Sequence, residues 1–357
     1  MLDSIIWTFI IPSICIFSFM TNILNIIVSK KMIPINKFYN LIYIKSIVNS
    51  VYLFSLIFVF MTRCDRFCPT LKNSYISKLY KLYILYYFTS SLALLDLIIE
   101  LAISLKRYFY LNNRNCFTYN NLCCKKFKLQ ILIMYSFLQF LPVTTFYKIV
   151  EIKTNSTNNV EQETRFELEL LKEYKTIAAL DEICWFTIRM LLLISLIISI
   201  NAIMCTKFRM KTNKLLRLIE LKKNTTKIIV ISNHNLFHKL KLFLLTYSFL
   251  DYYDSRQLTM GFDLIKTRKN LTNMIICINL NYIIGTLFLS ISTAVMFFTG
   301  GRSNASYSLL ISIGNSMVFL SYGLNLFIYC SFNKLFRCIL LNWLKTIFQN
   351  FFPLIQK

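Results

Sequence analysis

Apolar residues along this chain gather into blocks of about 20, the length of helix that crosses a bilayer core, instead of alternating with polar residues every few positions. Seven blocks lie at about 5–29, 39–61, 79–105, 129–149, 177–205, 273–299 and 306–330. The expected fold class is therefore all-α, a seven-transmembrane helix bundle. At 331–348 the pattern changes: polar positions enter at helical spacing, which predicts a short cytoplasmic amphipathic helix lying on the membrane surface. One domain over 1–348 follows, with 206–270 as a long cytoplasmic loop between the fifth and sixth blocks. Within that loop Leu236–Leu250 is apolar, but His238, Lys239 and Lys241 suit an interfacial helix better than an eighth span. The first block has no basic residue before it and Lys30 and Lys31 directly after it, the mark of a retained anchor.

Charge fixes the expected orientation. A net charge of +24 in a soluble protein would point to nucleic acid or an anionic surface. In a membrane protein the side on which the charges fall decides. Most of the 40 Lys and Arg residues lie in 30–38, 106–128, 206–270 and 331–357. Basic residues are retained on the cytoplasmic face, so the N-terminus is expected outside and the C-terminus in the cytoplasm of a multi-pass plasma-membrane protein. The surrounding partner is then the lipid bilayer, with no nucleic acid. The sequons at Asn155 and Asn304 fall on outer loops and are candidate glycosylation sites, whereas those at Asn224 and Asn270 fall inside. Sequons also arise by chance in an Asn-rich chain.

Several chemistries lack their residues. The 11 Cys follow no zinc spacing, and His234 and His238 have no evident third ligand, so neither a metal nor another cofactor is expected. With 6 Gly and no hydrolase, kinase or P-loop pattern, the chain is not expected to be an enzyme. Cys338, Cys123 and Cys124 are candidates for palmitoylation or remain thiols.

The seventh block ends Ser321-Tyr-Gly-Leu-Asn325-Leu326-Phe327-Ile328-Tyr329-Cys330-Ser-Phe-Asn333-Lys334-Leu-Phe336-Arg337. This resembles the end of helix seven and the start of helix eight in rhodopsin-like (class A) G-protein-coupled receptors, where Asn-Pro-x-x-Tyr is followed six residues later by Phe. Asn325, Tyr329, Phe336 and Arg337 match in register, and Leu326 replaces the Pro. Ile103-Ser-Leu-Lys106-Arg107-Tyr108 looks like the family's Asp-Arg-Tyr, with Lys106 in place of the acid. Thr21-Asn22-Ile-Leu-Asn25 resembles the helix-one motif. Asn270-Leu-Thr272-Asn-Met274 through Ile284-Gly285-Thr286 is similar to helix six of invertebrate FMRFamide-type neuropeptide receptors.

The resemblance implies a receptor for an extracellular peptide or small-molecule ligand that signals to a heterotrimeric G protein. It implies that Lys106, Arg107 and Tyr108 lie at the coupling surface, that Arg107 exchanges partners on activation, and that Asn325 and Tyr329 relay the change. The alternative for Asn22 and Asn325 is ordinary hydrogen bonding between helices. The family's outer disulfide is not available, because no Cys occurs between Cys124 and Cys184; Cys64 and Cys68 pair with each other or stay free. The family's helix-six Trp-x-Pro is replaced by Thr286 and Phe288.

Charged groups at membrane depth need partners. The family's helix-two acid aligns with Asn49, and Lys45 lies one turn away. Asp96 and Glu100 on the third block are also four residues apart, about 6 Å of rise. Antiparallel helices would set Asn49 by Asp96 and Lys45 by Glu100, a core polar network that either carries the displaced core carboxylate or only satisfies its own charges. Arg189, in the outer half of the fifth block, binds a ligand acid or pairs with Asp181 or Glu182. The acidic run Glu161–Glu173 would favour cationic ligands or is simply solvated. Rival readings are a transporter or channel lined by Lys45, Asp96, Glu100 and Arg189, and a degenerate receptor that no longer signals.

Overall fold

The computed structural model describes residues 5–35, 38–63, 69–111, 125–154, 163–178, 195–207 and 305–355, together with 180 and scattered positions in 210–217 and 270–295. The chain is predominantly helical and membrane-embedded. Among the described residues four helices are long and apolar enough to cross a bilayer. These are α1 (Ile6–Met32), α2 (Tyr39–Ile57), α3, which spans with Tyr75–Lys106, and α7, which spans with Ser308–Phe332. Helix α3 joins Tyr75–Leu79, a π-helical Tyr80–Phe88 and Thr89–Leu111, and α7 extends over Ala305–Phe332. The other expected spans coincide with shorter apolar helices: α4 (Lys125–Phe140), α5 (Ser195–Lys207) and α6 (Ile276–Leu289).

These helices are inside-out relative to soluble ones. On α1 the buried polar residues Ser18, Asn22, Asn25 and Ser29 are spaced four, three and four apart, with Thr21 buried beside them, so they form one interior stripe. Lys45 and Asn49 on α2, and Asp96, Glu100 and Ser104 on α3, repeat the pattern at spacing four. The opposite faces expose Phe9, Ile16, Met20, Phe54, Leu324 and Phe327, as side chains bathed in lipid would be. Lipid is as apolar as a leucine core, so close packing and hydrogen bonds hold such helices together. The sequence supplies both. Gly314 of α7 sits so near α6 that an added Cβ would lie 2.9 Å from the Leu289 Cα, and one on Gly323 would lie 2.6 Å from Ser18 Oγ on α1. Ser18 Oγ donates to the Phe319 carbonyl at 2.8 Å, and Asn281 Nδ2 donates to the Ser321 carbonyl at 2.7 Å.

The expected all-α class needs one correction. Tyr147–Thr154 (β1) and Glu163–Leu170 (β2) form an antiparallel hairpin in which Tyr147 pairs with Leu170, Lys148 with Glu169 and Ile149 with Leu168. Phe166, Leu168 and Leu170 alternate with Arg165, Glu167 and Glu169, the period of a strand with one apolar face. The fourth span accordingly stops short of 149. Its helix ends at Phe140, breaks over Leu141 and Pro142, where proline offers no N–H, and resumes only for Val143–Phe146. The hairpin is fastened to the α3 end of the bundle by Phe166 N–H donating to the Asn73 carbonyl at 3.2 Å, and by Tyr75 against Phe166 and Tyr86 against Tyr147.

The last helix, α8 (Lys334–Ile355), begins later and runs longer than the expected 331–348. Asn333 separates it from α7 and caps it: its Oδ1 accepts from the Phe336 N–H at 3.1 Å, and its Nδ2 donates to the Tyr39 hydroxyl. Such a cap is worth about 1 kcal/mol.

Candidate functional site

Lys45 is the centre of the buried polar core. It is 2% exposed on α2, and its Nζ contacts Glu100 Oε2 and lies 3.8 Å from Asp96 Oδ1, both on α3. Glu100 is fully buried and Asp96 is 1% exposed. The ammonium also sits 5.3 Å from the ring centroid of Tyr282 on α6. Three helices thus converge on one cation, held by two carboxylates and a π face. The geometry follows from depth: Asp96 and Glu100 lie one turn apart on the same face of α3, and the flexible Lys45 stem reaches both.

Asn49 departs from expectation. It is buried, 1% exposed, yet its amide makes no hydrogen bond to Asp96 or to any other described residue. The longer Lys45 side chain brings its ammonium to 3.8 Å from the Asp96 carboxylate instead, an ion pair longer than a hydrogen bond. Asn22 also lies away from the charged cluster. Its Nδ2 donates to the Ser18 carbonyl at 2.8 Å and across to the Tyr322 carbonyl of α7 at 3.2 Å, so it ties α1 to α7.

At the α8 end of the bundle, Tyr329 and Phe336 are both buried and pack with ring centroids 5.3 Å apart, joining α7 to α8. Asn325, one turn before Tyr329, is 6% exposed, and its Oδ1 has no hydrogen-bond partner among the described residues. Leu326 is buried in the same cluster, with Val28, Met32, Tyr39 and Ile42, and α7 continues through it. Leucine keeps its N–H, so the helix needs no break there. Arg337 is exposed on α8.

Below the Lys45 cluster a small apolar cavity is lined by Phe38, Ile42, Glu100, Ile103, Met274, Ile278 and Tyr329. Four helices close around it. Lys106 is exposed and stands 5.8 Å from the Phe38 ring centroid. Tyr108 accepts a hydrogen bond at 3.1 Å from Lys207 Nζ on α5, which also lies 4.7 Å from its ring centroid. Lys207 was silent in the sequence, because nothing local marks a cation that meets a ring 99 residues away. Asn333 carried a readable signal, an Asn three residues before the buried Phe336. Tyr282 and Asn281, by contrast, are unremarkable members of an apolar helix.

Arg107 lies on α3, and its side chain falls outside the described residues. So do Arg189, Asn155, Asn304, Cys64, Cys68, His234 and His238. Neither a protein-family model nor a curated protein matches this chain.

Proposed function

We propose that the chain is a divergent rhodopsin-like G-protein-coupled receptor. In this reading α1 to α7 are seven membrane spans, the hairpin faces the extracellular side, and α8 lies on the cytoplasmic face of the plasma membrane. The receptor binds an extracellular peptide or small-molecule ligand near the hairpin and signals to a heterotrimeric G protein at the opposite end.

One observation carries the reading. Asn325, Tyr329 and Phe336, spaced as in the family motif, occupy buried positions at the point where a membrane helix turns into an amphipathic one, and the Tyr329 and Phe336 rings pack together there. A switching protein needs polar groups that can exchange partners between two packings. Lys45 has two carboxylates within reach, and Asn325 keeps a buried oxygen without a hydrogen bond among the described residues. The cavity under Lys45 is small, so a partner segment could enter there only after the helices around it part. Cells expressing the chain with a promiscuous G protein, screened with peptides and small molecules, should give a ligand-dependent second-messenger response. A null screen with the chain present at the cell surface would count against signalling and favour a degenerate receptor.

The buried charges also support a second reading as a transporter, with Lys45, Asp96 and Glu100 as an ion relay. Substrate or proton flux in proteoliposomes would favour it over the receptor.

A further inference from the structure

We propose that Tyr282 is a positioning residue: its ring, set against the Lys45 ammonium, couples the packing of α6 to the buried charges of α2 and α3. The coupling rests on geometry alone; its part in a resting state rests on the proposed function.

Of the three helices that meet at Lys45, α2 and α3 are joined by full charges, through Glu100 Oε2 and through Asp96 Oδ1 at 3.8 Å. Helix α6 has no charge to bring, because 273–299 contains no Asp, Glu, Lys or Arg. It presents a ring instead. The Tyr282 centroid lies 5.3 Å from Lys45 Nζ, within the reach of a cation–π contact. Tyr282 is 4% exposed and Lys45 is 2% exposed, and such a contact strengthens where water is excluded. A ring also stabilises the ammonium without adding a third negative charge to a cluster that already holds two carboxylates.

Spacing shows what the contact holds in place. Met274, Ile278 and Tyr282 are buried at intervals of four, as on one helix face, and Met274 and Ile278 line the cavity under the cluster together with Glu100. Asn281 and Gly285, also four apart, form the neighbouring face, which packs on α7. Asn281 Nδ2 donates to the Ser321 carbonyl at 2.7 Å, and a Cβ on Gly285 would lie 3.0 Å from the Ser321 Cβ. Contact with α7 is thus independent of the charges. Met274 and Ile278 offer the cavity side only dispersion, which lipid offers equally. Tyr282 ties that side of α6 to the charged cluster.

The test replaces Tyr282 in the full-length chain, in nanodiscs of neutral phospholipid, with phenylalanine, with mono-, di- and trifluorophenylalanine, and with leucine. Fluorine drains the negative face of the ring and barely changes its volume, so a cation–π contact weakens step by step whereas a contact of shape alone does not. Amide hydrogen exchange in α6, which reports its local opening, is the readout. Tyr282→Phe should stay near wild type. Exchange should then rise with each fluorine, to on the order of tenfold faster at trifluorophenylalanine, with Tyr282→Leu at least as fast. In a Lys45→Met, Glu100→Gln background, where the ammonium is gone, the fluorine series should be flat. A flat series in the otherwise wild-type chain, a graded series that persists without the ammonium, or a Tyr282→Phe effect as large as that of Tyr282→Leu, which assigns the tie to the hydroxyl, would each overturn the proposal. In cells, basal second-messenger output should rise in step with exchange. If exchange is graded but the chain evokes no signalling with any G protein, the receptor reading fails while the coupling stands. If ligands evoke signalling and the exchange series is flat, the coupling fails while the receptor reading stands.

Discussion

Removing the Lys45 ammonium should damage this protein far more than removing its nearer carboxylate. In the native packing the cluster holds one cation and two carboxylates, all at most 2% exposed. In Glu100→Gln, Lys45 keeps Asp96, whose Oδ1 is already 3.8 Å away. The cluster becomes neutral overall, and the loss is that of one contact. In Lys45→Met two carboxylates remain one turn apart, about 6 Å along α3. At an effective dielectric of about 20 their repulsion is about 3 kcal/mol. The attraction of each to Lys45, about 4 kcal/mol at 4 Å on the same scale, is also lost. Taking up a proton relieves part of this, so the net cost should fall near the 3–5 kcal/mol typical of breaking a buried pair. Adding Glu100→Gln to Lys45→Met removes the repulsion and should restore on the order of 2–3 kcal/mol. The assay is the thermal-unfolding midpoint and surface level of wild type, both single variants and the double variant. The expected order is wild type, Glu100→Gln, the double variant, then Lys45→Met. A Lys45→Met protein as stable as wild type, or a double variant no better than Lys45→Met, would refute the electrostatic account.

Other substitutions probe separate links. Gly314→Ala should cost about 1–3 kcal/mol and lower the unfolding midpoint more than Gly323→Ala, because the new methyl meets Leu289 backbone in the first case and a Ser18 side chain in the second. Asn333→Ala removes the cap on Phe336 and the tie to Tyr39. It should cost about 1 kcal/mol and speed amide hydrogen exchange in the first turn of α8 while leaving α7 protected. On the proposed receptor reading, Lys106→Asp places an acid beside Arg107 and should lower basal second-messenger output in cells; unchanged output would count against a switch role for Lys106.

The length of the spans was legible because a bilayer imposes a one-dimensional demand: enough consecutive apolar residues, with every backbone group paired inside its own helix. Depth was legible for the same reason. Lys45 opposite Glu100 follows from counting turns along two antiparallel helices. Rotation about the helix axis was not. A lipid-facing side and a packed side are both apolar, so the sequence does not say that Asn22 looks toward Tyr322 or that Asn281 looks toward Ser321. Tertiary packing gave Asp96 the Lys45 ammonium rather than the Asn49 amide as its neighbour, because a four-carbon stem can reach past its own turn. The hairpin had a period-two signal at Phe166, Leu168 and Leu170, but the charges between them also read as a solvated acidic run, and pairing with Tyr147–Ile152 decided the matter.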